Sequence, residues 1–236
     1  MRHSHFLIGI LGWLLASPAV ADFDKQVALL HGLARSAGSM HSMAEHLQNH
    51  GFDVCNIDYP SRHHPIEKLA ADYVVPAIRD CFPTGSINFV THSLGGIIVR
   101  QLAAEHAKIN IGRVVMLAPP NQGSEVVDKL GNFGLFSWIN GPAGQQLGTA
   151  VDTLPNQLGP ARFELGIIAG NRSINLILSM LIPGNDDGKV SVKRTTLGGM
   201  RDFLLVGQTH PFIMSSDEVQ SQTLFFLQSG RFKPSH

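Results

Sequence analysis

The sequence predicts an α/β domain: a mostly parallel sheet of about six strands with helices on both faces. Three observations carry this expectation. Short apolar runs of strand length alternate with segments whose apolar residues recur at helical spacing. The connections between them are short and marked by Gly, Pro and Asp. The chain has 236 residues, 44% of them hydrophobic and 15% charged, which is enough for one domain with a substantial buried core.

Taken in order, residues 26–30 form a short apolar strand that runs into the glycine-marked loop "HGLARSAGSM". Residues 39–49 follow with Met43 and Leu47 on one helical face, and Gly51 stops them. Residues 52–57 are the second strand, and "DYPSRHHP" is a turn-rich loop. Residues 66–78 carry helical spacing through Leu69, Tyr73, Val74 and Ala77. Residues 87–90, 94–107 and 113–117 read as strand, helix and strand, the last stopped by Pro119 and Pro120.

The rhythm then changes. Residues 121–160 are rich in Gly, Pro, Asn and Gln, yet include "LGNFGLFSWI". They are expected to be an excursion from the sheet, a lid or cap, and not a second domain. Residues 163–169 and 203–206 resume the strand pattern, with "INLILSMLI" and "PGNDDGKVSV" between them. The last helix is expected to start at a capping box of Ser215 and Glu218, to bury Val219, Thr223, Phe226 and Leu227, and to end at Gly230.

Composition excludes some partners. Lys+Arg and Asp+Glu both total 18, and no basic run suggests a phosphate-backbone footprint, so no nucleic-acid partner is expected. At the N-terminus, Arg2, the apolar run "FLIGILGWLL" and the small residues "AVA" fit a secretory signal peptide over residues 1–21, leaving 22–236 as the domain. The expected location is therefore periplasmic or extracellular, with no stable membrane span after cleavage. Export permits a disulfide, but Cys55 lies in a strand and Cys81 near the end of the next helix, and two separate buried thiols are expected. The pair lacks CxxC spacing and a clustered histidine, so no metal site is expected.

The most informative stretch is "INFVTHSLGGIIVR". It places Ser93 at the tip of a strand-to-helix turn, on the sheet edge where ligand chemistry collects. "THSLG" misses the GxSxG elbow at one position, because Thr91 adds a branched side chain where the pattern has none. A serine hydroxyl needs a base, and the base needs an orienting carboxylate. Among twelve histidines position decides, and His210 follows the last strand in the loop "QTHPF", which should open on the same edge. For the acid, a chain order of Ser, Asp, His selects Asp187 in "GNDDGKV", where Gly188 allows a tight turn. Asp186 is the alternative and Asp152 the next. Oxyanion donors are expected from the backbone N–H of Leu94, after the serine, and of Leu33, in "LLHGLARS".

With these segments, and with "NIDYPSR", "LAPPNQGSEV" and "QTHPFIM", the chain resembles the α/β-hydrolase superfamily, and within it the bacterial triacylglycerol-lipase and serine-esterase branch. The resemblance implies an α/β-hydrolase fold with Ser93 as nucleophile, His210 as base and Asp187 as acid. It implies an exported esterase without organic cofactor, acting on small-molecule or lipid esters. The short chain and small excursion favour a general carboxylesterase over a dedicated triglyceride lipase. The acyl group is expected to be apolar and short to medium, the ester uncharged, and the pocket lined from Leu130, Phe133, Leu135, Phe136, Trp138 and Ile139. Acyl transfer or amide hydrolysis through the same triad, and a non-catalytic binding module, are the competing readings. The oligomeric state stays open.

Overall fold

The computed structural model describes residues 25–130, 134–173 and 182–234. Residues 1–21, expected as a signal peptide, lie outside them. Six strands form one sheet: β1 (Gln26–Leu30), β2 (Asp53–Ile57), β3 (Ile87–His92), β4 (Ile111–Leu117), β5 (Leu165–Gly170) and β6 (Asp202–Val206). Every pairing is parallel and the order is β2-β1-β3-β4-β5-β6. The chain runs outward from β1 to β2, then returns to lay β3 on the other side of β1. The loops after β1 and β3 therefore diverge at the point where strand order reverses, which opens a crevice there.

The helices are α1 (His41–Asn49), α2 (Ile66–Leu69), α3 (Val75–Cys81), α4 (Leu94–Glu105), α5 (Glu125–Leu130), α6 (Gly134–Gln145), α7 (Leu154–Gln157), α8 (Val192–Thr195) and α9 (Asp217–Ser229). Strand alternation sorts the core onto two faces. From β1, Val27 and Leu29 pack with Met43 and Leu47 of α1 and Val219 and Phe226 of α9. Ala28 and Leu30 point the other way, into Ile66, Leu69, Ile78 and Ile97 of α2, α3 and α4. Gly51 and Gly230 end α1 and α9 with left-handed backbone (φ 82° and 74°), as their positions require.

Three local expectations are corrected. The helical run after β2 does not stop at residue 78. A π-turn, Ala70–Val74, joins α2 to α3 and the helix continues to Cys81. Pro76 sits at the start of α3, where its missing N–H is taken up by the wider turn. That extension brings Cys81 to a Cα–Cα distance of 6.2 Å from Cys55, and the two form a disulfide in place of separate thiols. The capping box fails as well. Ser215 belongs to a 3-10 turn, and α9 starts from Ser216, whose side chain makes no capping bond.

The 121–160 excursion is largely helical, containing α5, α6 and α7. Arg100 of α4 pins it to the sheet layer. Its buried guanidinium donates to the Asn121, Pro155 and Gly159 carbonyls at 2.6–2.9 Å. No carboxylate pairs with it among the described residues, and burial lowers its pKa to about 10.

Candidate active site

Ser93 sits between β3 and α4 with φ 52° and ψ −117°, a conformation that L-residues rarely occupy. The turn is held because the Ser93 N–H donates to the Leu117 carbonyl of β4 at 2.9 Å. Helix α4 must then pass very close to β1. A Cβ on Gly95 would lie 2.6 Å from the Leu30 carbonyl oxygen and 2.9 Å from its Cβ, so this side of the elbow requires glycine. The other side does not. Thr91 is buried within β3, in register with Leu30 and Met116, and its branched side chain fits in the sheet layer. The departure from the glycine pattern therefore leaves the elbow intact, although the Thr91 hydroxyl has no hydrogen-bond partner.

His210 lies in the loop after β6 and is buried beside the serine. Its Nε2 is 3.1 Å from Ser93 Oγ, and its Nδ1 is 2.7 Å from Asp187 Oδ2. A carboxylate only accepts, so Nδ1 carries the proton and Nε2 is left to accept the serine hydroxyl. The backbone repeats the attachment, with the His210 N–H donating to the Asp187 carbonyl at 3.0 Å. The other Asp187 oxygen, Oδ1, accepts the N–H groups of Lys189 and Val190 at 3.0 and 2.9 Å. Gly188, at φ 96°, makes that tight turn possible. The turn also decides between the two aspartates: Asp186 Oδ1 caps the Gly188 N–H at 2.7 Å and does not reach the histidine. Asp152 is exposed in the excursion.

Several supporting residues were not legible in the sequence. Ser124, just before α5, donates to the Lys189 carbonyl at 2.9 Å, and Glu125 accepts from Ser191 and Arg194. The "GSEV" segment thus clamps the loop that carries Asp187. His92 is not a base for Ser93. Its Nε2–H donates to the His210 carbonyl at 3.0 Å, which ties the His210 loop to the end of β3. Burial, and secondarily the nearby His210, hold its pKa well below 6.5, so the ring is neutral. Its Nδ1 is buried without a partner and faces Gly32, where a Cβ would come within 2.7 Å of it. A buried polar residue next to the serine was the only sequence trace of this role.

Leu33 follows Gly32 at the end of β1, across the crevice from Ser93. Its side chain lines a small cavity with Ser93, Val126, Val127, Leu147 and Lys189. Leu94 opens α4, so its N–H has no intrahelical acceptor. Neither the Leu33 nor the Leu94 N–H has a backbone acceptor among the described residues. The cavity measures about 20 Å³; two larger ones, of about 280 Å³ at Arg100 and about 510 Å³ at Phe82, lie away from the serine. Hydrogen-bonded chemistry therefore locates the site, and volume does not. Of the expected pocket residues, Phe133, Leu135, Phe136, Trp138 and Ile139 have side chains outside the described residues. Leu130, also expected there, does not line the cavity; Val126, Val127 and Leu147 supply the excursion's apolar contribution. Among the described residues no cluster of His, Cys, Asp and Glu could hold a metal ion, and no helix is long and apolar enough to cross a membrane.

A family model described as alpha/beta hydrolase fold matches residues 26–151. The chain belongs to the α/β-hydrolase fold family. No curated protein matches it. Among solved structures it is similar to the mature form of Bacillus licheniformis lipase BlEst2, with a TM-score of 0.63 and 20% identity over 90% of this chain and 94% of that one. It is also similar to the metagenomic carboxyl esterase MGS0156, with a TM-score of 0.61 and 17% identity over 89% of this chain and 75% of that one. Legionella pneumophila phospholipase PlaB gives a TM-score of 0.61 at 20% identity, over 72% of this chain but only 45% of that one. At these identities the likeness is one of fold.

Proposed function

We propose that the protein is an exported serine hydrolase that cleaves carboxylic esters with apolar acyl groups through Ser93, His210 and Asp187. The observation that carries this reading is the continuous chain Ser93 Oγ–His210 Nε2–His210 Nδ1–Asp187 Oδ2, at 3.1 and 2.7 Å, on a strained strand-to-helix turn. A serine that only capped a helix would need neither the strain nor a histidine oriented by a carboxylate.

In this mechanism His210 Nε2 takes the hydroxyl proton as Ser93 Oγ attacks the ester carbonyl. Asp187 holds the Nδ1 proton and favours the imidazolium that forms. The Leu33 and Leu94 N–H groups receive the oxyanion in the crevice between β1 and β3. The imidazolium then protonates the departing alcohol, and water repeats the sequence on the acyl-enzyme. Leu33, Val126, Val127 and Leu147 offer the acyl group an apolar but narrow space. This supports a preference for short to medium chains. The Cys55–Cys81 disulfide supports export, since such bonds persist in oxidising compartments.

The test is kcat/KM for p-nitrophenyl esters of increasing acyl length. A maximum at short or medium length is expected. A maximum at the longest chain, with activation by emulsified triglyceride, would make the protein a lipase, and no hydrolysis of any member would remove the reading.

A further inference from the structure

The oxyanion donor assigned to Leu33 depends on which way one peptide faces, and that peptide follows a glycine. Gly32 is required there because the buried His92 ring occupies the space that a side chain would need. A Cβ would lie 2.7 Å from His92 Nδ1 and 3.3 Å from the Ser93 Cβ. Glycine leaves the next peptide free to turn over, and a turned peptide would aim the Gly32 carbonyl, in place of the Leu33 N–H, at the crevice. Something else must hold it.

His31 does so. Its ring is fully buried, and its Nδ1 lies 2.9 Å from the Gly32 carbonyl oxygen. A carbonyl only accepts, so Nδ1 carries the proton, and the bare Nε2 accepts the Tyr59 N–H at 3.3 Å. Burial lowers the His31 pKa below 6.5, in keeping with a single ring proton; Asp58, 3.4 Å from Nε2 but largely exposed, opposes this only in part. The ring stacks on Tyr59, with centroids 4.0 Å apart and planes 11° from parallel, and the Tyr59 hydroxyl donates back to the His31 carbonyl. The same segment grips the turn a third time: the Ala34 N–H, on a residue at φ 57°, donates to Ser61 Oγ at 3.1 Å. The Arg35 N–H adds a longer bond, 3.3 Å, to the Gly32 carbonyl.

The sheet order gives these contacts a direction. Tyr59 and Ser61 follow β2, which pairs with one side of β1, while Ser93 follows β3, which pairs with the other. The Gly32 carbonyl is therefore drawn toward the β2 side. In a trans peptide the N–H points opposite to the carbonyl, so the Leu33 N–H faces the side of Ser93. Resting on the hydrolase reading, we propose that His31, stacked on Tyr59 and assisted by Ser61, is the positioning residue of the oxyanion hole: its Nδ1–H holds the Gly32–Leu33 peptide in the orientation that receives the oxyanion before substrate arrives. A histidine kept for packing alone would have no need of a fixed tautomer or of a bond to that one carbonyl.

The experiment compares His31→Phe, His31→Asn, Tyr59→Phe and Ser61→Ala on p-nitrophenyl butyrate. Phenylalanine keeps a ring against Tyr59 but has no donor, whereas asparagine keeps an N–H near the place of Nδ1. His31→Phe is expected to lower kcat about 10²-fold, as a misplaced oxyanion donor does, with KM within about threefold. His31→Asn should restore most of that loss, and Tyr59→Phe and Ser61→Ala should each lower kcat by about three- to tenfold. The pH midpoint of kcat/KM should hold in all four, because His210 and Asp187 are untouched. Inhibition by a trifluoromethyl ketone, which adds to Ser93 as an oxyanion, should weaken in step with kcat/KM, a correlation that lost packing alone would not give. Histidine 15N NMR of the wild type, with His31 assigned by its absence from His31→Phe, should show the Nδ1–H tautomer. An Nε2–H ring would overturn the proposal, and so would a loss of kcat that leaves ketone affinity unchanged. If His31→Phe does not fold, wild-type kcat in both Tyr59→Phe and Ser61→Ala overturns it instead. A wild type that hydrolyses no ester removes the hydrolase reading itself, whereas full turnover in folded His31→Phe removes the positioning role alone.

Discussion

Replacing Asp187 with asparagine changes one oxygen to an amide nitrogen and almost no volume. The turn should survive, because an amide oxygen can still accept the Lys189 and Val190 N–H groups that Oδ1 now accepts at 3.0 and 2.9 Å. The amide nitrogen then falls where Oδ2 stands, 2.7 Å from His210 Nδ1, and offers a donor to a nitrogen that is itself a donor. The imidazole must move its proton to Nε2, which can then no longer accept from Ser93 Oγ at 3.1 Å. The wrong tautomer of a triad histidine costs on the order of 10⁴ in kcat, about 5 kcal/mol of transition-state stabilisation. KM should change little, since Asp187 does not touch the acyl group. Asp186→Asn is the control: an amide oxygen can still cap the Gly188 N–H, and activity should stay within about threefold. The assay is steady-state hydrolysis of p-nitrophenyl butyrate, with circular dichroism to confirm folding. Asp187→Asn activity within tenfold of wild type, or an equal loss in Asp186→Asn, would refute the assignment.

Other expectations concern stability. Gly95→Ala forces a methyl group to within 2.6 Å of the Leu30 carbonyl; it should cost about 1–3 kcal/mol and lower Tm by several degrees in calorimetry, whereas an unchanged Tm would mean that strand and helix separate easily. Replacing Cys55 and Cys81 together by serine opens a loop with a sequence separation of 26 residues and should cost about 3–4 kcal/mol in denaturant melts, and equal midpoints would contradict the bond's stabilising role. His92 and His31 are held neutral by burial, with pKa values below 6.5, while the unfolded chain protonates both. Below about pH 6.5 the unfolded state therefore binds more protons, and His92 alone should remove up to about 1.4 kcal/mol of stability per pH unit as pH falls. His92→Gln should flatten that slope between pH 6.5 and 5, and an unchanged slope would place the titration elsewhere.

The sheet was readable because its strands are short, apolar and punctuated, and because a helix or loop of modest length separates each of the first four from the next. Boundaries shifted by a few residues where hydrogen bonding outlasts the apolar pattern, as at β4, which begins at Ile111 before the run of valines. Ser93, Asp187 and His210 were readable because each sits at a marked place: an elbow, an Asp-Gly turn and a loop after the final strand. What the sequence hid depends on contacts between distant residues. The disulfide was missed because the distance between β2 and the end of α3 is set by tertiary packing, which brings the Cα atoms of Cys55 and Cys81 to 6.2 Å and leaves no mark in the sequence. Ser215 and Ser216 are equally good capping types, and the 3-10 turn that chooses between them is set by packing of Ile213 and Met214.

The central claim is that Ser93 is an activated nucleophile. The most direct measurement is covalent labelling of the folded protein with a fluorophosphonate, followed by intact mass and peptide mapping, in the wild type and in Ser93→Ala and His210→Ala. One adduct per chain, on Ser93, is expected in the wild type, with none in Ser93→Ala and strongly slowed labelling in His210→Ala, in step with a fall of about 10⁴–10⁶ in ester turnover for Ser93→Ala. A folded wild type that takes no label, or a Ser93→Ala variant that labels and turns over as well as the wild type, would contradict the account.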